Sequence, residues 1–592
     1  YMEGEYKMYI NKINGADIKT QIYEIISNIT GHKTMDLDCE MFLESDLGID
    51  SIKMVALMNG LMKSVPDEQL ENFTSKYPIT YLMSLQTIGE IVLMFEGFYN
   101  LKSSNQDETD ELMILNAQYP FLISYWSVGT LTICSGVKVE GQLNLKYLQE
   151  SWLELVKRHP SLCSVFKASD ESKSFKDYKL KVFTNPILPE IEVRDIRNLP
   201  EEVINKTIKK TIEEILNKPF DIFEYPLHKF MIIQTNNTQF ELILSNNHLV
   251  SDGLGNQQIL KEMLEIYCSN LQGVNSDLPD VLNVSDYNKV VSEMNNFNDS
   301  KENMNLENYI QTCGKTKYRF NPFSKNNVEN EFAQIKTQKY WISETVTNLL
   351  IDKSKAWRIS LFSILVSAYL KSISQLDEDS NKIILNLPTG GKVYPSVDAT
   401  GLIGCFAQNM SLIFNLNDSG NDWEILVKNV DEEIKSKIYS GIDRAQTYIT
   451  AKMAKDQDML EHGKMSKTTA AIVRSTLKSN LYLSFVGNTN IKERYGDLNI
   501  IDYESYTSTN VGTIDNLIEL FQNRILITSN YDSLHFNEDN INILINKFID
   551  NINSLAEYKV EVNDTILEPI ISKNIILLEE LEKVAQEVRC TS

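Results

Sequence analysis

The sequence predicts a multi-domain protein, a small all-α bundle followed by a large α/β domain. Three observations predict it. Apolar residues recur at helical spacing in the first hundred residues. A polar, aperiodic stretch separates them from the rest. Beyond it, strand-like and helix-like segments alternate to about residue 560.

The 592 residues are enough for several domains. With 42% hydrophobic and 23% charged residues, the composition is that of a folded chain. A net charge of -24 argues against nucleic acid or an anionic membrane as partner, because phosphates repel such a surface. The seven cysteines, Cys39, Cys134, Cys163, Cys268, Cys313, Cys405 and Cys590, have no metal-ligand spacing. Their odd number and wide separation suit a reducing cytoplasm better than a disulfide framework. With six histidines and no His/Cys/carboxylate cluster, no metal is expected. No apolar run is long enough to span a membrane, and no signal peptide opens the chain. A cytoplasmic protein is expected. The start at Tyr1 and the lack of a clear stop suggest a piece of a longer polypeptide.

In the first module, Ile18, Ile22, Ile25, Ile26 and Ile29 share one helical face, and Gly31 ends that helix. A second helical pattern runs from Ser51 through Val55, Leu57 and Leu61. A third begins near Thr87, with Ile88, Ile91, Val92 and Phe95 inward. These patterns set a bundle over 1–98. A serine at a helix start is an N-cap, or a place that favours an attached phosphate, since free N–H groups and the helix dipole face it. Gly48-Ile49-Asp50-Ser51 resembles the Gly-x-Asp-Ser modification motif of acyl and peptidyl carrier proteins. The resemblance implies covalent 4′-phosphopantetheine on Ser51, with an acyl group held as a thioester. Ile52-Lys53 is more similar to the carriers of polyketide synthases than to those of peptide synthetases. Met54, Val55 and Met58 are either core or an exposed docking face. Residues 99–112, with Ser-Ser-Asn-Gln-Asp-Glu-Thr-Asp, are expected to be a flexible linker. Such a tether keeps the module near its partner at high effective concentration.

In the large domain, Val137–Glu140 is strand-like and Leu148–Lys157 helical. Phe240–Ser245 is a strand that runs into His248, and Asp252-Gly253 is a turn signal. A histidine there can be held at the mouth of a cleft as a general base. Residue type alone leaves a structural histidine open. Ser360 reads as the N-cap of a buried helix to Leu370.

Asn247-His248-x-x-x-Asp252-Gly253 resembles the His-His-x-x-x-Asp-Gly motif of the condensation domains of nonribosomal peptide synthetases. Other landmarks follow in order. Arg158-His159-Pro160-Ser161-Leu162 carries Cys163 where the family has Arg. Then come Pro219-Phe220-Asp221 with Pro226-Leu227, Tyr340-Trp341, Leu385 to Lys392, Gly401 to Asn409, and Ser484 to Asn488. The resemblance implies a two-lobed fold like chloramphenicol acetyltransferase, with a tunnel between the lobes. It sets an N-lobe over 113–285, an inter-lobe connection over 286–335, a C-lobe over 336–562 and a linker to a following module over 563–592.

By the same resemblance, His248 is the catalytic residue that orients a nucleophile and takes its proton. Asp252 is a structural carboxylate paired with a cation, and Gly253 completes the motif. Asn247 replaces the family's first His. Lys392 stands where an Arg is common and supplies the charge without the bidentate fork. The Trp-containing floor-loop motif of many peptide-bond-forming members is not found. The expected function is that of a carrier–condensation didomain from a polyketide/nonribosomal peptide assembly line. Upstream synthase modules load the carrier, and the acyl chain passes to an amine or hydroxyl on a downstream carrier or free small molecule. The alternatives are an inactive docking or gating module and an acyltransferase using free coenzyme A donors.

Overall fold

The computed structural model describes residues 18–558 except 40, 44, 50, most of 66–86, 104–107, 129–130, 187, 189, 297–307, 309–315, 321–331, 378–381, 393–398, 417–421 and 476. The expected linker over 563–592 lies outside the described residues. Two compact units divide the chain, Tyr1–Glu108 and Thr109–Ser592.

In the first unit, α1 (Ile18–Thr30), α2 (Ser51–Ser64) and α3 (Ile88–Ser103) are helices. Ile22, Ile26, Leu57, Leu61, Ile88 and Phe95 are buried in one apolar cluster. The i, i+4 and i, i+7 spacing of these residues is what turns one stripe of each helix inward. Met58 is in that cluster and Met54 is half-buried against it, so Met58 is core and not a docking face. Ser51 is the first residue of α2.

The structure corrects the linker expected over 99–112. Helix α3 continues through Ser103, and β1 (Glu108–Leu112) is a strand beside β4 (Lys179–Phe183). Its charges mimic a solvated linker, but Glu111 reaches Lys179 at 3.0 Å and Lys181 at 3.3 Å, and Leu112 is buried. Edge strands characteristically carry such charge.

The second unit runs in chain order through α4 (Gln118–Val128), β2 (Thr132–Glu140), α5 (Leu145–Arg158), β3 (Ser164–Lys167), β4, β5 (Glu192–Asp195), α6 (Glu201–Asn217), β6 (His228–Gln234), β7 (Gln239–Asn247), α7 (Gly253–Gln272) and α8 (Val284–Asn295). There follow β8 (Ile335–Trp341), α9 (Glu344–Trp357), α10 (Leu361–Leu376), β9 (Lys382–Thr389), β10 (Gln408–Asn415), α11 (Trp423–Tyr439) and α12 (Ile442–Asp456). The last elements are β11 (Leu460–Glu461), β12 (Lys464–Met465), α13 (Lys467–Ser475), β13 (Leu481–Asn488), β14 (Arg494–Tyr495), β15 (Leu498–Thr507), β16 (Ile514–Phe521), β17 (Arg524–Asp532) and α14 (Glu538–Glu557). Among the described residues no single helix is long and apolar enough to cross a membrane.

Two six-stranded sheets build two lobes, in the orders β14-β15-β2-β7-β6-β5 and β10-β9-β13-β16-β17-β8. Each has its own core. Trp152, Leu155, Leu244 and Tyr267 belong to the first, and Tyr369, Leu385, Ile518 and Phe548 to the second. Ser360 caps α10, accepting from the Ser363 N–H, as the sequence predicts.

Two expected boundaries shift. Helix α8 belongs to the first lobe, because Tyr287 and Val291 are buried in its core, so that lobe extends through Asn295 and not 285. Strands β14 and β15, expected in the C-lobe, join the first sheet instead, with β15 antiparallel to β2 and Tyr503 opposite Val137. Without them β2 would present an unpaired edge.

The Arg158-His159 landmark ties α5 to α7. Arg158 Nε donates to Glu262 Oε2 at 3.0 Å, and His159 Nε2 meets the same oxygen at 2.8 Å. Both partners hold the Glu262 carboxyl below its ordinary pKa despite burial. Glu262→Ala leaves His159 without its partner and Arg158 with only the Pro279 carbonyl. We expect it to cost about 3 kcal/mol in chemical denaturation, with His159→Gln milder.

Candidate active site

Strand β7 lies inside the first sheet, paired with β2 and β6, and is buried along almost its whole length. It ends where Asn247 faces Thr132. There the Asn247 Oδ1 accepts from the Leu249 N–H at 3.0 Å, and the Asn247 carbonyl accepts from Val250 at 3.0 Å. This local side-chain bond bends the chain at the strand end and turns His248 out of the sheet. The His248 N–H donates to the Leu131 carbonyl at 2.7 Å, fixing its backbone. Behind the bend, Asn256 Oδ1 on α7 accepts from Asn246 at 2.6 Å and from Ser251 at 2.9 Å.

The His248 ring stacks on Phe121 of α4, with centroids 4.2 Å apart and planes 20° from parallel. Its Nδ1 lies 3.8 Å from Cys405 Sγ. Nε2 has no hydrogen-bond partner among the described residues. Burial pushes the imidazolium pKa below its ordinary value, partly offset by the Asp252 carboxylate and the backbone carbonyl of His248. The ring is therefore a neutral base at neutral pH. Burial raises the Cys405 pKa well above its ordinary value, so the sulfur stays a thiol and not a nucleophile.

Asp252 departs from expectation in two ways. It is not in a turn but caps α7, its Oδ1 accepting from the Gly255 N–H at 2.8 Å. Its partner is not a cation either. Oδ2 accepts from the Phe406 and Ala407 N–H groups at 2.9 and 3.1 Å. Lys392 is buried, donates to the Leu402 carbonyl at 2.7 Å, and sits 5.4 Å from the Phe406 ring centroid. Burial lowers the Lys392 pKa, and the Asp252 and Glu262 carboxylates raise it in part. The lysine thus shapes the 402–407 segment, which carries the amides that bind Asp252. Gly391 permits that approach, since a Cβ there would come within 2.0 Å of the Phe406 carbonyl oxygen. At Gly253 a Cβ would crowd Val486 at 3.2 Å, bringing the start of α7 against β13.

These residues meet at a cavity of about 510 Å³ between the two lobes, within the range of small-molecule sites. First-lobe residues Phe121, His248 and Gly253 line it together with second-lobe residues Ser484, Asp515 and Leu517. Asp515 and Phe121 escaped the sequence reading. A carboxylate at the second position of strand β16, followed by apolar Leu517, Ile518, Leu520 and Phe521, was the signal that could have flagged Asp515. Burial pushes its pKa up to about 7. Further along the same face of β16, Glu519 joins the lobes, accepting from Gln257 of α7 at 2.7 Å and from the Tyr503 hydroxyl at 2.8 Å.

A family model described as the condensation domain matches residues 132–559. The chain belongs to the condensation-domain family. Members of that family perform acyl transfer in nonribosomal peptide assembly, so this domain is an acyltransferase by class. Bacitracin synthase 1 of Bacillus licheniformis is 20% identical over 450 residues, which is 73% of this chain and 8% of that protein. Malpinin synthetase of Mortierella alpina is 22% identical over 295 residues, 49% of this chain and 4% of that protein. The chain thus spans a small part of these relatives. Among solved structures, the first condensation domain of the CDA synthetase superposes with TM-score 0.61 at 11% identity, covering 76% of this chain and 97% of that one. The epimerization domain from the third module of tyrocidine synthetase B gives TM-score 0.57 at 14% identity, covering 76% and 97%. These likenesses establish the two-lobed fold of the condensation domain.

Asp252→Ala removes the α7 cap and leaves the Phe406 and Ala407 amides of the condensation domain without their acceptor. The expected loss is about 2–3 kcal/mol, read by urea denaturation. Asp515→Asn acts in the opposite direction. A carboxyl whose folded pKa is raised binds a proton in the folded state that the unfolded state has lost. Wild-type stability therefore falls as pH rises from about 4 to about 7. The variant should be more stable by on the order of 2–4 kcal/mol above pH 7, the difference vanishing below pH 4 in a melting series.

Proposed function

We propose that this chain is a carrier–condensation didomain of a polyketide/nonribosomal peptide assembly line. It passes an acyl chain from a phosphopantetheine thioester on Ser51 to an amine or hydroxyl, forming an amide or ester. The observation that carries the proposal is His248, with Nε2 unengaged at the wall of a cavity between two lobes. The printed names of the relatives, synthases of bacitracin and malpinin, support the assembly-line setting. So does the Gly48 to Ser51 motif.

Ser51 is the residue that would carry the prosthetic group. It is the first residue of the fourteen-residue helix α2, and the start of a helix favours an attached phosphate. Bound there, the group supplies a thiol that carries the acyl chain. In the cavity, His248 Nε2 orients the nucleophile and takes its proton as it attacks the acyl carbon. Phe121 holds the imidazole plane, and the bend at Asn247 holds its backbone. Asn247 performs that task through its carboxamide, so the loss of the family's first His does not remove the base. The start of α7 lines the cavity at Gly253, whose N–H belongs to the first turn and so has no intrahelical acceptor. It favours the oxyanion that forms on the acyl carbonyl. Upstream modules load Ser51, and the acceptor arrives on a downstream carrier or as a free small molecule.

His248→Ala should slow transfer about 10²- to 10⁴-fold, and Ser51→Ala should abolish loading, both followed by intact-protein mass spectrometry. Transfer by the His248→Ala protein at the wild-type rate removes the catalytic assignment. Because burial lowers the His248 pKa, the base form persists into acid. The acid limb of the rate profile should lie below about pH 6.5, the ordinary imidazole value.

A further inference from the structure

Several buried carboxyls in this domain have donors from within the chain, although Glu213 Oε1 and Glu519 Oε2 are, like Asp515 Oδ1, buried without one. Asp252 takes three backbone N–H groups. Glu262 takes Arg158 and His159. Asp431 takes the Ser363 hydroxyl and Lys435. Asp532 takes the Gly512 N–H and His535.

Asp515 differs. Its Oδ1 is buried with no hydrogen-bond partner, and it forms no ion pair among the described residues. The residue lies on β16, an interior strand of the second sheet, opposite Tyr482 of β13 and Asn530 of β17. Strand alternation turns Asp515 and Leu517 to one face, and both line the cavity that His248 lines. Much of the surrounding wall is apolar, with Phe121, Ile449, Met453 and Phe485 among its residues. The neighbouring phenols of Tyr369 and Tyr482 are held neutral by burial. An acceptor without a donor in such surroundings is costly, and the cost is offset when a ligand brings the donor.

We infer that Asp515 is the amine-recognition residue of this cavity, receiving the amino group of the acceptor and so favouring amines over alcohols. The inference rests on the acyl-transfer reading for the identity of its ligand as an acceptor, and it narrows that reading toward amide formation. An ammonium or amine offers several N–H donors and, when charged, a charge-assisted bond. Such a bond is stronger than the one a neutral hydroxyl makes between uncharged partners. The difference corresponds to roughly tenfold or more in affinity. Position also matters, because the amine held at the second-lobe wall shares its cavity with the base on the first lobe.

The test uses the full chain and two matched probes, hexylamine and 1-hexanol, with binding measured by calorimetry. Asp515→Asn should weaken hexylamine binding about tenfold or more and leave hexanol unchanged. Asp515→Ser should do the same, guarding against a folding defect in either variant, and both should melt at or above wild type. In parallel, the Ser51-loaded chain is offered amine and alcohol acceptors of one skeleton. The ratio of amine to alcohol transfer should fall about tenfold in Asp515→Asn. An unchanged hexylamine affinity together with an unchanged ratio overturns the inference while transfer itself leaves the acyl-transfer reading intact. Asp515-dependent amine binding without transfer to any acceptor overturns that reading and leaves amine recognition standing.

Discussion

One carboxylate organises the site. Asp252 accepts the Gly255 N–H with one oxygen and the Phe406 and Ala407 N–H groups with the other. The first bond starts α7 and the others draw in a segment from the second half of the chain. Buried backbone N–H groups must find acceptors, so the same residue satisfies a helix end and a loop at once. The loop then brings Cys405 beside His248, and the helix start brings Gly253 to the cavity wall. Lys392 acts on this arrangement through the Leu402 carbonyl and the Phe406 ring, which is how a lysine serves where the family commonly has an arginine.

The lobes are joined by more than that contact. Strand β15 leaves the second lobe to extend the first sheet beside β2. Glu519 on β16 takes donors from α7 and from β15. Burial raises its pKa, favouring a neutral carboxyl that needs no counter-ion. The cavity between the lobes therefore has walls that share strands and buried polar bonds. A base on one wall and a carboxyl on the other can hold fixed positions across it.

Asn247 and Asp515 teach different lessons about polar residues in this interior. Asn247 looks like a lost histidine in the sequence, yet its Oδ1 bond to Leu249 makes the bend that presents His248. Asp515 looks like one acidic residue among many in a chain of net charge -24. Its missing donor and its place on the cavity wall separate it from Asp431 and Asp532.

The sequence by itself determined the elements whose signals are local. Helical stripes such as Ile22, Ile26 and Leu57, Leu61, the Ser360 cap of α10, the strand leading to His248, and the ordered landmarks of a condensation domain were all legible. These depend on periodicity, capping and motif spacing, which are written within a few residues. What the tertiary structure decided depends on partners far apart in the chain. The strand at Glu108–Leu112 read as linker because its charges find Lys179 and Lys181 only after folding. The partner of Asp252 read as a cation because backbone amides 154 and 155 residues away carry no sequence signature. Strand β15 changed lobes because an unpaired edge of β2 attracts it. Phe121 and Asp515 joined the site because packing places α4 and β16 on facing walls of one cavity. Hydrogen-bond satisfaction and shape are properties of the assembled core, and no local pattern encodes them.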